Sequence, residues 1–263
     1  MDDGQLAIQA ARAGAEVVRA WMGRLEGADF KGEVDPVTEA DRQAEAAILD
    51  LIGRHRPGDA ILSEEVGSTG SGDRQWIVDP LDGTVNFVHG VPHVAVSVGL
   101  FEAGTPAAGA VIDVFRQEEF LAAAGQGVWL DGRRQRVTER SRLGESLVAT
   151  GFPYDRQQHA TAYAAWLGSV LGRVRGVRRM GTAALDLAWV AVGRYDGYWE
   201  AGLGPWDGAA GLLLVREGGG VVTDQHGEPY QLGDRVVVAS NGKIHDELRH
   251  LVAESLPQHL GRM

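Results

Sequence analysis

The run Trp76-Ile77-Val78-Asp79-Pro80-Leu81-Asp82-Gly83-Thr84-Val85-Asn86-Phe87 constrains this chain more than any other segment. Apolar residues carry a short strand over 75–79 out of a core, and Pro80, which has no N–H for a ladder, predicts that the strand stops there. Asp79 and Asp82 then flank a turn in which Gly83 permits close backbone approach. A helical turn opening after Asp82 leaves the N–H groups of Gly83 and Thr84 pointing free, a cradle for an anion. Two carboxylates and the Leu81 carbonyl are hard oxygen donors of the kind Mg2+ takes, alongside waters and phosphate oxygens. Asp-Pro and Asp-Gly are also common turn dipeptides, and either Asp could be a plain helix cap.

Three further segments bear on that choice. Ser63-Glu64-Glu65 follows a predicted strand over 60–63, so Glu64 stands at a strand end as Asp79 does; a solvated acid pair reads equally from the same letters. Pro205-Trp206-Asp207-Gly208-Ala209-Ala210-Gly211 puts Asp207 in the first turn of a small-residue helix. There it could serve the helix dipole, or let a carboxylate approach its neighbours closely. Asp35-Pro36-Val37-Thr38-Glu39-Ala40-Asp41 places Asp41 at the start of a second helix, again a capping position.

Around these segments the spacing of apolar residues predicts a helix over 6–25, a second after Thr38 that ends at Pro57-Gly58-Asp59, and a flexible loop over 67–72. A run of antiparallel strands follows over 94–124. Strands over 147–150, 197–200, 221–223 and 236–239 then alternate with helices over 160–171 and 182–192, one from Trp206 to the glycines at 218–220, and a last one from Ile244. Sheets and helices in layers imply an α+β sandwich of two closely packed halves in one domain, about 1–140 and 141–263. Trp129, Trp166 and Trp189 read as core.

Composition narrows the function. The 25 Lys+Arg against 36 Asp+Glu leave a net charge of −11, which disfavours nucleic-acid binding through neutralised phosphates. Cysteine is absent, removing thiolate metal sites, disulfides and cysteine nucleophiles. No apolar run is long enough to span a bilayer, and the acidic, amphipathic start lacks the form of a signal peptide, so the expected setting is cytoplasmic.

Taken together, Asp-Pro-Val-Thr-Glu-Ala-Asp (35–41), Glu-Glu (64–65), Asp-Pro-Leu-Asp-Gly-Thr (79–84) and Trp-Asp-Gly-Ala-Ala-Gly (206–211) resemble the inositol monophosphatase family of Mg2+-dependent, lithium-sensitive phosphatases, in the family's order and across nearly the whole chain. The resemblance implies the layered αβαβα sandwich shared with fructose-1,6-bisphosphatase, two or three Mg2+ ions and a homodimer. It implies hydrolysis of myo-inositol monophosphate or a similar small sugar or polyol phosphate by in-line attack of an activated water. By the same resemblance Glu64, Asp79 and the Leu81 carbonyl hold a first Mg2+, Asp79, Asp82 and Asp207 a second, and Glu64 supports a third. Asp41, Thr84 and Glu64 form the catalytic set, with Thr84 orienting the water and Asp41 accepting from Thr84. Gly83, Thr84, Ala183, Glu200 and Asp207 contact substrate. Lys31 resembles a family lysine near the metals, and Arg178 precedes the matching Gly181-Thr182-Ala183-Ala184 run; either could equally be a surface cation. His89 and His93 are expected to be structural, since Mg2+ prefers oxygen.

Two rival readings remain at this level. Relatives on the same metal core act on 3′-phosphoadenosine 5′-phosphate, fructose 1,6-bisphosphate or histidinol phosphate. A regulatory or binding protein could also keep the fold without catalysis.

Overall fold

The computed structural model describes residues 1–24, 29–30 and 36–260. Helix α1 (Asp3–Trp21) is capped by Asp2, whose carboxylate accepts the Gln5 N–H, and it ends four residues short of the predicted 25. Met22 closes its last turn and Gly23 follows at φ 71°. A small ribbon pairs β1 (Asp29–Phe30) with β2 (Pro36–Val37). Helix α2 (Glu39–His55) starts at a capping box in which Thr38 and Asp41 bond each other's N-terminal groups.

Strands β3 (Ala60–Ser63), β4 (Gly67–Thr69) and β5 (Arg74–Asp82) follow, so the predicted loop over 67–72 begins with an edge strand. After the short helix α3 (Thr84–Val88) come β6 (Ala95–Glu102), β7 (Thr105–Asp113), β8 (Glu118–Ala123), β9 (Val128–Leu130) and β10 (Arg133–Gln135). They form one eight-stranded sheet in the order β10-β9-β8-β7-β6-β5-β3-β4, antiparallel except where β3 runs parallel to β5.

The second half supplies β11 (Leu147–Thr150), α4 (Ala160–Leu171), β12 (Gly176–Arg178), α5 (Ala183–Ala191), β13 (Gly197–Ala201), α6 (Pro205–Glu217), β14 (Val221–Thr223), β15 (Val236–Ser240) and α7 (His245–Glu254). Its five strands order as β12-β11-β13-β15-β14. Helices α1 and α2 cover one face of the large sheet, and α5 and α6 lie between the two sheets. Helices α4 and α7 cover the outer face of the small sheet. The layers therefore run αβαβα, as the resemblance implied.

Small residues set the spacing of the central layer. A Cβ on Gly99 of β6 would stand 3.0 Å from the Ala209 carbonyl carbon, and one on Gly109 of β7 would stand 3.0 Å from the Ala210 Cα. Helix α6 thus rests directly on the backbone of the large sheet, and its first turn comes close to the end of β5. Trp166 is fully buried as expected. Trp129 and Trp189 are only partly so, and Trp189 carries the guanidinium groups of Arg116 and Arg194 over its ring, each at 5.1 Å. No described helix is long and apolar enough to cross a membrane.

Candidate active site

The expectation that β5 stops at Pro80 is overturned: the strand continues to Asp82. Asp79 pairs with Ser97 and Asp82 with Ala95, so Pro80 and Leu81 together stand opposite Val96 alone. That is a β-bulge, one of the few interior positions where proline removes no ladder bond. The bulge also decides the chemistry. Residues three apart on a regular strand point to opposite faces, whereas the two partners here, Ser97 and Ala95, are two apart and share one. One inserted residue therefore turns Asp79 and Asp82 to the same side, toward α5 and α6.

There Asp82 Oδ2 accepts the Ala184 N–H at 2.7 Å, at the start of α5. Asp207, in the first turn of α6, accepts the Gly204 N–H at 2.7 Å. Asp79 Oδ1 accepts the Leu81 N–H at 3.0 Å across the bulge. Carboxylate oxygens of Asp79, Asp82 and Asp207 lie within 4.8 Å of one another, with Asp79 only 1% exposed. Glu64 follows β3, its N–H donating to the Val78 carbonyl at 3.2 Å. It stands outside that tight triad but close enough that its charge is felt strongly at Asp79.

Burial pushes the Asp79 carboxyl well above its ordinary range, and the charges of Glu64, Asp82 and Asp207 push it further the same way. Burial and then Asp207 do the same to Asp82. Buried carboxylates that mainly face one another are stable as anions only when a cation joins them. The donors are all oxygen, which suits a hard divalent ion and gives a nitrogen- or sulfur-preferring one little to hold. The residues present therefore fit the metal that the sequence implied.

Gly83 immediately precedes α3 at φ 93°, in the left-handed region, and a Cβ there would lie 2.5 Å from Thr182 Cγ2. Both conformation and space demand glycine at this one position. Thr84 Oγ1 then falls 3.0 Å from the Leu81 carbonyl and 3.3 Å from Asp41 Oδ1. The other oxygen of Asp41 accepts from the Thr38 hydroxyl at 2.5 Å and the Thr38 N–H at 2.8 Å. Asp41 is thus a capping residue and a neighbour of Thr84 at once. Burial lifts its pKa to about 6, against the lowering effect of Thr38.

A cleft of about 140 Å³ opens on this cluster, lined by Asp82, Ala183, Glu200 and Asp207 among others. Ala183 is the first residue of α5. Glu200, on β13, accepts the Tyr198 hydroxyl at 2.5 Å, and burial raises its pKa to about 7 although Tyr198 and Arg179 both lower it.

Lys31 lies outside the described residues. Arg178 is exposed and donates to the Val177 carbonyl beside it on β12, while its neighbour Arg179 lines the cleft. Arg179, one residue beyond the end of β12, had no sequence signal to set it apart from the other arginines over 173–179. Arg156, Phe152 and Tyr154 also line the cleft and were not foreseen. His93 is buried away from the carboxylates, edge-on to Trp189 at 5.4 Å, and burial lowers its pKa to about 4; His89 is exposed at the end of α3.

Comparison with known proteins agrees with this architecture. The sequence model described as "Inositol monophosphatase family" matches residues 4–259. Inositol-1-monophosphatase of Synechocystis is 46% identical, aligned over 92% of this chain and 85% of its own. Nus factor SuhB of Pseudomonas aeruginosa is 43% identical over 98% of both chains. The solved inositol monophosphatase of Anabaena superposes with a TM-score of 0.88 at 39% identity, covering 97% of this chain and 96% of that one. With sequence match, five-layer architecture and an oxygen-rich carboxylate cluster at a bulged strand end all in agreement, the chain belongs to the inositol monophosphatase family.

Proposed function

We propose that this cleft hydrolyses a phosphate monoester of a small polyol, of the myo-inositol monophosphate class, with Mg2+ as cofactor. The observation that carries the reading is the convergence of Asp79, Asp82 and Asp207 within 4.8 Å beneath a cleft that also presents Glu200 and Ala183.

Glu64, Asp79 and the Leu81 carbonyl would hold one ion, and Asp79, Asp82 and Asp207 a second, with Glu64 left to support a third. Bound there, Mg2+ supplies charge that draws the phosphate oxygens, acidifies water and stabilises the departing alkoxide. The chain's own part begins at Thr84. When its hydroxyl donates to Asp41 Oδ1, a lone pair of Oγ1 is left to accept from the attacking water and fix its line of approach. Thr38 holds Asp41 in place for this role by bonding its second oxygen. The Gly83 and Thr84 N–H groups receive phosphate oxygens. On the far side of the cleft Glu200, steadied by Tyr198, receives the polyol hydroxyls, and Ala183 lets the ring lie against the start of α5. Asp207 stands between the two sets and serves both. Inhibition by Li+ at millimolar-scale concentration belongs to the same reading.

The test is a substrate panel in Mg2+, with kcat/KM measured for inositol monophosphate, other sugar phosphates, fructose 1,6-bisphosphate, histidinol phosphate and 3′-phosphoadenosine 5′-phosphate. The polyol monophosphates should lead, and Asp207→Asn should lower turnover by orders of magnitude while the protein stays folded. A strong preference for the adenosine bisphosphate would overturn the substrate class. The 43% identity to a relative named Nus factor SuhB supports a second reading, action through a macromolecular partner on the same fold. No phosphate release from any substrate, with Asp82→Asn changing nothing, would favour it.

A further inference from the structure

A second group of metal-binding side chains lies outside the carboxylate cluster and has no part in the reading above. Asp155, in the turn 154–157, His159, the residue before α4, and His259, beyond α7, bring one carboxylate oxygen and two imidazole nitrogens within 4.8 Å of one another. The two imidazoles stack with ring centres 3.7 Å apart and planes 14° apart. Nε2 of each lies 3.8 Å from the same Asp155 Oδ2, too far for a hydrogen bond. The other carboxylate oxygen, Oδ1, accepts the Tyr163 hydroxyl at 2.8 Å, and that phenol also lies 3.0 Å from His259 Nε2.

We infer that Asp155, His159 and His259 form a binding site for one transition-metal ion of the Zn2+ class. Two imidazoles and a carboxylate are a three-ligand set that Zn2+ takes with an open fourth position, and that Mg2+, an oxygen-seeking ion, does not favour. Ligand atoms about 2.0–2.1 Å from a tetrahedral ion sit roughly 3.3 Å apart, so each 3.8 Å gap closes by about half an ångström. The rings must also swing out of their parallel stack to aim both nitrogens at one point; all three side chains are partly exposed and can do so. The surroundings hold the frame still. Arg235 donates to the His259 and Leu260 carbonyls at 3.0 Å each, Leu260 packs onto the core beneath α4 and α7, and Tyr163, 2% exposed, orients Asp155 as partners of metal-bound carboxylates do.

The position gives the site a consequence. Asp155 is flanked by Tyr154 and Arg156, both of which line the substrate cleft. An ion here clips the cleft rim to the residues that follow α7.

The full chain, stripped with chelator and returned to saturating Mg2+, is titrated with Zn2+ by calorimetry while imidazole 15N resonances are followed. One Zn2+ should bind with two imidazoles shifting. His159→Gln and His259→Gln should each weaken it by ~100-fold or more, and Tyr163→Phe by ~10-fold. Mg2+-dependent turnover and metal-free melting of the two histidine variants should match the wild type. Absence of Zn2+ binding, binding that moves no imidazole signal, or binding kept in both histidine variants but lost in Asp207→Asn would overturn the site. If either histidine variant failed to fold, the wild-type imidazole shifts decide alone.

Discussion

Replacing Asp82 by Asn removes one negative charge and keeps the side chain's shape and the acceptor oxygen that takes the Ala184 N–H at 2.7 Å. At 4.8 Å, the separation that bounds the cluster, two like charges repel by about 3.5 kcal/mol at an effective dielectric constant near 20. Burial and Asp207 already raise the Asp82 carboxyl from its ordinary 3.8, so a proton relieves part of that repulsion in the wild type. A carboxyl whose folded pKa is raised lends stability that is complete below its unfolded pKa and lost as pH rises through the folded value. Asn carries no such loss, and at pH 7 the metal-free variant should be more stable than the wild type by roughly 1–3 kcal/mol. For a chain of this length that is a rise in melting temperature of about 2–10 °C. Saturating Mg2+ should raise the wild type by mass action and the variant much less, so the gap narrows or reverses, while turnover falls by orders of magnitude. Differential scanning calorimetry in chelator and in Mg2+ reads both effects. A metal-free variant no more stable than the wild type, or equal stabilisation of both by Mg2+, would refute the account of Asp82 as a metal ligand held in a repulsive cluster.

Thr84→Ala should lower kcat by about 10²–10⁴ with melting little changed, and a wild-type kcat would remove Thr84 from the proton path. Gly83→Ala places a Cβ at φ 93° and 2.5 Å from Thr182, so chemical denaturation should show a loss of roughly 1–3 kcal/mol together with lost activity. Glu200→Ala should raise KM for a polyol phosphate by about tenfold through the loss of one charged hydrogen bond, and an unchanged KM would mean the hydroxyls bind elsewhere. For Asp41, with its pKa raised to about 6, stability is complete below pH 3.8 and lost as pH rises through 6. The metal-free protein should accordingly melt higher at pH 5 than at pH 7.5, and a scan in chelator that falls toward pH 5 would contradict this.

The long elements were legible because their signals are local. Periodicity located α2 and the strands over 94–124, and Thr38 and Asp207 sit at the helix starts where their chemistry favours them. The short strands β4, β10 and β12 escaped, since three residues carry too little pattern to outweigh the glycines and arginines among them, and β9 escaped despite its apolar Val-Trp-Leu.

The opening run shows where the division falls. From the sequence alone came the residue types at the site, their order and their oxygen-donor chemistry, all properties of single side chains and of short spacings. Only the tertiary structure decided that Asp79 and Asp82 face the same way, because that depends on Pro80 and Leu81 sharing one partner, Val96, on another strand. Equally, Asp207 reaches them across 125 residues of chain only because Gly99 and Gly109 let α6 lie on the sheet backbone. Strand register and interlayer distance are set by partners remote in sequence, and no local pattern contains them.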